Sequence, residues 1–142
     1  REPLAGYRHF KIGLNPERDK LYARINRRVE KMFSTGLEHE TRRMLERPDA
    51  SVLKGLGSLG YRQVAAALRG ETTLEDAVRD TQIATRQYAK RQMTWFRREP
   101  EMEWFSGFGD DPAIQRRVLD ALKVWFASNL RGASCLPKVV SL

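Results

Sequence analysis

The chain has 142 residues, 41% hydrophobic and 31% charged, with a net charge of +8. That size fits one domain or part of a larger one, with apolar material for a core and much solvated surface. No apolar run nears the ~18 residues that a bilayer span needs, a single cysteine excludes an internal disulfide, and the charge favours a polyanion: nucleic acid, an anionic membrane or a phosphate-bearing substrate.

Residues 7–14, Tyr-Arg-His-Phe-Lys-Ile-Gly-Leu, alternate roughly and carry aromatic and β-branched side chains, which predicts a short strand. A lone strand cannot satisfy its own backbone groups, so it is expected to pair with a sheet outside the chain or to stay unformed. Asn15 as N-cap and Pro16 at the first helical position predict a helix over 16–35, stopped by Gly36. A second helix is expected over 37–47, ended by Pro48. Residues 48–59 read as a loop, and 61–68 as a short helix closed by Gly70. Thr73 as a cap, with Glu75 and Asp76 in the first turn, opens the longest helix, which is expected to reach Arg98 before Pro100 ends it. Residues 103–105 read as a short strand or a docked aromatic turn. Residues 107–112 are a break, 113–130 a last amphipathic helix, and the tail from Arg131 is expected to be loose.

At about 100° per residue, Arg79, Arg86, Lys90 and Arg97 fall within about 40° of one another on the long helix. Val78, Thr85, Ala89 and Phe96 share another side with Ala84, Tyr88 and Trp95, which reads as the packed face. Asp80 is the one acid set against this basic ridge. Solvated helix faces usually mix Glu with Lys at i,i+4 spacing, so the ridge reads as a polyanion contact, with an ordinary solvated face as the alternative. Arg24, Arg27, Arg28 and Lys31 make the first long helix basic too, beside an apolar stripe of Leu21, Ile25, Val29 and Met32. Arg28 lies about 20° from Leu21 on the wheel, at the edge of that stripe. There it would hold an anion, pair with an acid such as Glu40, or extend its stem to water.

Gly57, Ser58 and Gly60 precede a helix start, where exposed amides suit a phosphate or a base edge, but no Gly-Lys-Ser/Thr follows to make a phosphate loop. Glycines there also serve turn geometry. Gln63 could bond an adenine edge. Trp95, Trp104 and Trp125 read as core more readily than as stacking platforms. His9, His39 and Cys135 are isolated, so no metal site is expected. Paired catalytic carboxylates, a Ser/His/Asp set and a dinucleotide fingerprint are absent. The opening Arg1-Glu2-Pro3 does not read as a signal peptide and lacks a methionine, so a fragment is expected, cytoplasmic and with no membrane partner.

Read in order, Arg-Ile-Asn-Arg-Arg-Val-Glu-Lys-Met at 24–32, Gly36-Leu37 with Glu40, Leu-Gly-Tyr-Arg-Gln at 59–63, and Ala-Thr-Arg-Gln-Tyr-Ala-Lys-Arg-Gln-Met-Thr-Trp-Phe-Arg-Arg at 84–98, with Trp104-Phe105 after it, resemble the C-terminal portion of the tRNA dimethylallyltransferase family. The resemblance covers about 7–105. It implies transfer of a dimethylallyl group from dimethylallyl diphosphate to the exocyclic amine of the adenine beside the anticodon, flipped out of its loop. It also implies a P-loop α/β core, a helical insertion, Mg2+ at the donor diphosphate and an aspartate as base. C-terminal helices would grip the tRNA anticodon stem-loop.

Carried over residue by residue, Arg28 matches the arginine that contacts the donor diphosphate. The tRNA-contacting segments match about 50–57 and 83–90, which brings in Val52, Leu53, Lys54, Gly55, Ile83, Thr85, Arg86, Gln87 and Lys90, with Arg91 adjoining. Gly60, Tyr61, Arg62 and Gln63 are further candidates. The chain has no match for the phosphate loop, the base or the insertion. The fold expected is therefore mainly α, the helical C-terminal part of a P-loop α/β enzyme, with one short strand that would belong to the sheet of a missing N-terminal half. The expected divisions are 1–15 as strand and linker, 16–105 as the tRNA- and diphosphate-contacting region, and 106–142 as a last helix and tail. The chain alone is expected not to catalyse, and its Mg2+ ligands would lie outside it. A stand-alone basic helical RNA- or DNA-binding module is the alternative. An enzyme that prenylates a free adenine nucleotide would not need the ridge.

Overall fold

In the computed structural model, which describes residues 8–47, 55 and 57–130, the strand expected over 7–14 forms at β1 (Lys11–Leu14) and finds its partner within the chain. It is followed by α1 (Arg18–Ser34), α2 (Leu37–Leu45), α3 (Tyr61–Leu68), α4 (Leu74–Phe96), β2 (Met102–Phe105) and α5 (Pro112–Leu130). The fold is mainly helical, as expected. The chain divides into two units, one joining residues 8–17 to 99–130 and the other holding 18–98. These divisions differ from the expected ones at 15/16 and 105/106, because residues 99–105 associate with the N-terminal strand.

In the first unit β1 and β2 run parallel, pairing Lys11 with Met102 and Leu14 with Phe105. The Asn15 amide extends the ladder by donating to the Phe105 carbonyl at 2.8 Å. Asn15 is thereby drawn into the sheet instead of capping a helix, and α1 starts at Arg18, two residues later than expected. Parallel strands require a long crossover, which residues 15–101 supply. Gly13 permits close approach of the strands' side chains, since a Cβ there would meet the Trp104 ring at 2.5 Å. Phe105 and Ile114 are the buried apolar residues of this unit, and the Arg117 guanidinium lies over the Phe105 ring. Asp111 caps α5 through the Ala113 amide at 2.8 Å, with Pro112 at the first helical position.

In the second unit α1 packs on α2 and α4, α2 on α3, and α3 on α4. Val29, Leu37, Val64, Ala65 and Ala77 form its buried apolar core. Thr41 and Thr81 are buried among them, each returning its hydroxyl to the carbonyl four residues back, Leu37 and Ala77, at 2.7 Å. Small residues at these crossings let the helices approach closely. The Thr73 hydroxyl accepts from the Asp76 amide at 3.0 Å and caps α4 as expected.

The packed face expected along α4 stops halfway. Ala77 and Thr81 are buried, but Tyr88, Trp95 and Phe96 are exposed, Trp95 by 58%. Trp95 is therefore not a core residue: among the described residues, the buried positions of α4 lie only in its first half. No helix of the described residues is long and apolar enough to cross a membrane.

Candidate nucleic-acid interface

The packed first half of α4 anchors its exposed second half, and α1 orients the junction. Gln82 donates to Glu30 at 3.1 Å. One turn on, the Arg86 guanidinium donates to Asn26 Oδ1 at 2.7 Å and lies 5.8 Å from the Tyr22 ring centre. Arg18 lies over the same ring at 5.1 Å. Asn26 follows Tyr22 by four residues, so both occupy the α1 face turned to α4. A hydrogen bond to a charged group contributes about 1.5–3 kcal/mol and a cation–π contact about 0.5–1 kcal/mol. Together they hold a half-buried arginine with a neutral amide and a ring, leaving its charge uncancelled.

The ridge expected from Arg79 to Arg97 is shorter than the wheel implied. Arg79 is neutralised by Asp76 at 2.9 Å and Glu75 at 3.4 Å, acids that the wheel did not count. Lys90, Arg91, Arg97 and Arg98 are exposed, and among the described residues none forms an ion pair. The uncancelled cations thus run from Arg86 along roughly 15 Å of helix at 1.5 Å per residue and into the turn that holds Arg97 and Arg98.

Of the remaining candidates, Gln87 is exposed beside Lys90 and Arg91. Ile83 and Gln87 line one hollow of about 330 Å³ with Arg62 and Gln63, so these two candidate segments come together. Thr85 is half-buried and spends its donor on the Thr81 carbonyl at 2.7 Å. Gln63 is buried, its Oε1 accepting from the Gly60 amide at 3.0 Å. That bond caps α3 internally, so neither the Gly60 amide nor Gln63 Oε1 is open to a phosphate or a base edge. The Arg62 amide is likewise taken by the Ser58 carbonyl at 3.1 Å. Burial, then hydrogen bonding to the Glu40 carboxylate, holds the Tyr61 hydroxyl above the usual tyrosine pKa, so it stays protonated. Gly55 is half-buried, and its carbonyl accepts from the Ser58 amide and hydroxyl. Val52, Leu53 and Lys54 lie outside the described residues.

Arg28 does not sit at a core edge. It is exposed, and among the described residues no ion pair joins it to Glu40. Of the α1 stripe Val29 alone is buried and the rest is half-buried, while Arg28 itself is exposed, so no burial cost draws an anion to it. On the wheel it lies about 160° from Asn26, away from the Arg86 junction. Among the described residues no three His, Cys, Asp or Glu side chains converge on a possible metal site. Sequence reasoning missed Asn26, whose signal was an amide one turn from Tyr22, beside the apolar stripe.

A family model described as IPP transferase matches residues 1–99. The tRNA dimethylallyltransferase of Koribacter versatilis is 50% identical over 123 residues, covering 87% of this chain and 40% of that protein. The Geobacter metallireducens protein of the same name is 48% identical over 113 residues, covering 80% and 37%. The crystal structure of the full-length tRNA isopentenylpyrophosphate transferase from Bacillus halodurans aligns with a TM-score of 0.73 at 35% identity, over 92% of this chain and 44% of that one. The chain thus spans about two fifths of the length of the relatives it matches.

Proposed function

The chain belongs to the IPP transferase family, and from that premise we propose that it is the tRNA- and donor-gripping C-terminal portion of a tRNA dimethylallyltransferase. The reaction of the whole enzyme joins the exocyclic nitrogen of the adenine beside the anticodon to the first carbon of the dimethylallyl group. The carbon–oxygen bond to diphosphate breaks and the amine loses a proton. The residues of this chain bind and orient. Arg86, Lys90, Arg91 and Gln87 hold the anticodon stem-loop, with Ile83 and Arg62 beside them. Arg28 reaches the donor diphosphate from the other side of α1. The phosphate loop, the base and any Mg2+ ligands would come from an N-terminal half, and the compartment would be the cytoplasm.

The observation that carries this reading is the Arg86–Asn26 bond. An arginine cancelled by an acid would be structural, whereas one oriented by an amide and left charged is set for a phosphate. The test is binding of the chain to an anticodon stem-loop RNA and to a DNA duplex of equal length across a salt series. The stem-loop is expected to bind more tightly, and Arg86→Ala and Lys90→Ala each to lower the salt slope by about 0.7–0.9, one phosphate's worth. Equal affinity for both nucleic acids would reduce α4 to a general polyanion face and favour a non-catalytic binding module.

A further inference from the structure

Lys90, Arg91, Thr94, Trp95 and Arg98 lie three, four, seven, eight and eleven residues after Gln87, so with it they form one stripe on the exposed half of α4 and the turn that follows. They line a groove of about 400 Å³. Its floor is Trp95, an indole 58% exposed and braced by the edge of Phe96, with ring centres 4.8 Å apart. Its rim carries three cations, none of them ion-paired among the described residues, and no acid lines it. The Thr94 hydroxyl is turned away to the Lys90 carbonyl at 3.0 Å.

We propose that this groove is a stacking site for an unpaired base of the bound RNA, with Trp95 as the platform and Lys90, Arg91 and Arg98 on the phosphates that flank that base. The proposal rests on the tRNA reading above and extends it to a residue and a contact that the reading does not include. Charge selects the occupant. A protein segment that covered an indole would have no use for three uncancelled cations around it. A second copy of this chain would bring another net charge of +8 against them. A nucleotide offers both a flat π-face and an anion, and sequence-tolerant stacking on aromatic side chains beside basic ones is how single strands are held. Trp95 lies nine residues from Arg86, roughly 13 Å along the axis, or three to four nucleotides at about 3.4 Å each. One RNA segment can engage both. A paired helix keeps its bases stacked inside and gives Trp95 nothing to receive, so the site discriminates loop from stem.

The experiment titrates the full 142-residue chain, as wild type, Trp95→Ala and Trp95→Phe, with an anticodon stem-loop RNA and with a blunt RNA duplex of equal length. Tryptophan emission and affinity are read together, and circular dichroism checks that the variants fold. Trp95→Ala is expected to lose about 5- to 150-fold in affinity for the stem-loop and less than about 2-fold for the duplex, while Trp95→Phe keeps most of the stem-loop affinity. Wild-type emission is quenched by the stem-loop, and that quenching is lost in Trp95→Phe. Equal losses on both RNAs, or no loss on either, overturn the proposal. Should Trp95→Ala fail to fold, an unquenched wild type overturns it. If the wild type prefers the stem-loop and Trp95 is indifferent, the stacking site alone fails. If the wild type shows no preference, the tRNA reading fails with it.

Discussion

Arg28 shows what a helical wheel can and cannot tell. It placed the guanidinium beside Leu21, but a wheel carries no information on how wide a stripe the neighbouring helices cover, and here they bury Val29 alone of that stripe. Trp95 is the same error in reverse, a large apolar residue on the expected packed face of a helix that outruns its cover. Arg86 and Lys90, unlike Arg79, keep the uncancelled charge that the wheel expected of the ridge. Asn26 was not legible, since its importance lies in a contact 60 residues away along the chain. With no burial argument left, the donor role proposed for Arg28 stands on its motif. In an enzyme reassembled from this chain and a family N-terminal half, Arg28→Ala is expected to weaken inorganic diphosphate binding about 10- to 100-fold, the loss of one charged hydrogen bond. Unchanged binding by calorimetry would leave Arg28 a surface cation.

At the level of elements, starts and stops were read well where a local signal decides them. Thr73 caps α4, and α3 spans Tyr61–Leu68 as expected. The start of α1 was misread because Asn15 had a second use, a strand hydrogen bond to Phe105, and the strand that supplies it lies some 90 residues downstream. Gly60 forms the turn that leads into α3. Its φ of 93° falls where side chains are strained, and a Cβ would meet Leu37 Cδ2 at 3.3 Å. Gly60→Ala is expected to cost about 1–3 kcal/mol. Because a chain of this size loses about 2–4 °C per kcal/mol, a thermal melt followed at 222 nm should fall by several degrees. An unmoved midpoint would mean that the turn relaxes to accept a side chain.

For the whole molecule, the telling feature is a parallel pair of four-residue strands. Parallel sheets are stable when both faces are covered and more strands join them. Here Ile12 and Leu14 remain 39% exposed. The strand itself was legible in the sequence, but its partner was not, because pairing across so long a crossover leaves no local trace. The isolated chain is expected to give a strongly helical spectrum and a broad melt. Hydrogen exchange should show the amides of β1 and β2 opening more readily than those of α3 and the first half of α4. A single sharp transition with uniform protection would show instead that the strand pair is self-sufficient.

The bond between Arg86 and Asn26 bears on time as well as on affinity. An amide orients the guanidinium without adding a charge of opposite sign, so the far half of α4 projects its full field into solvent. At physiological salt that field reaches about 8 Å, enough to draw in and turn an approaching polyanion before any contact is made. The side chain that aims the arginine thus leaves intact the charge that would speed the approach of a polyanion.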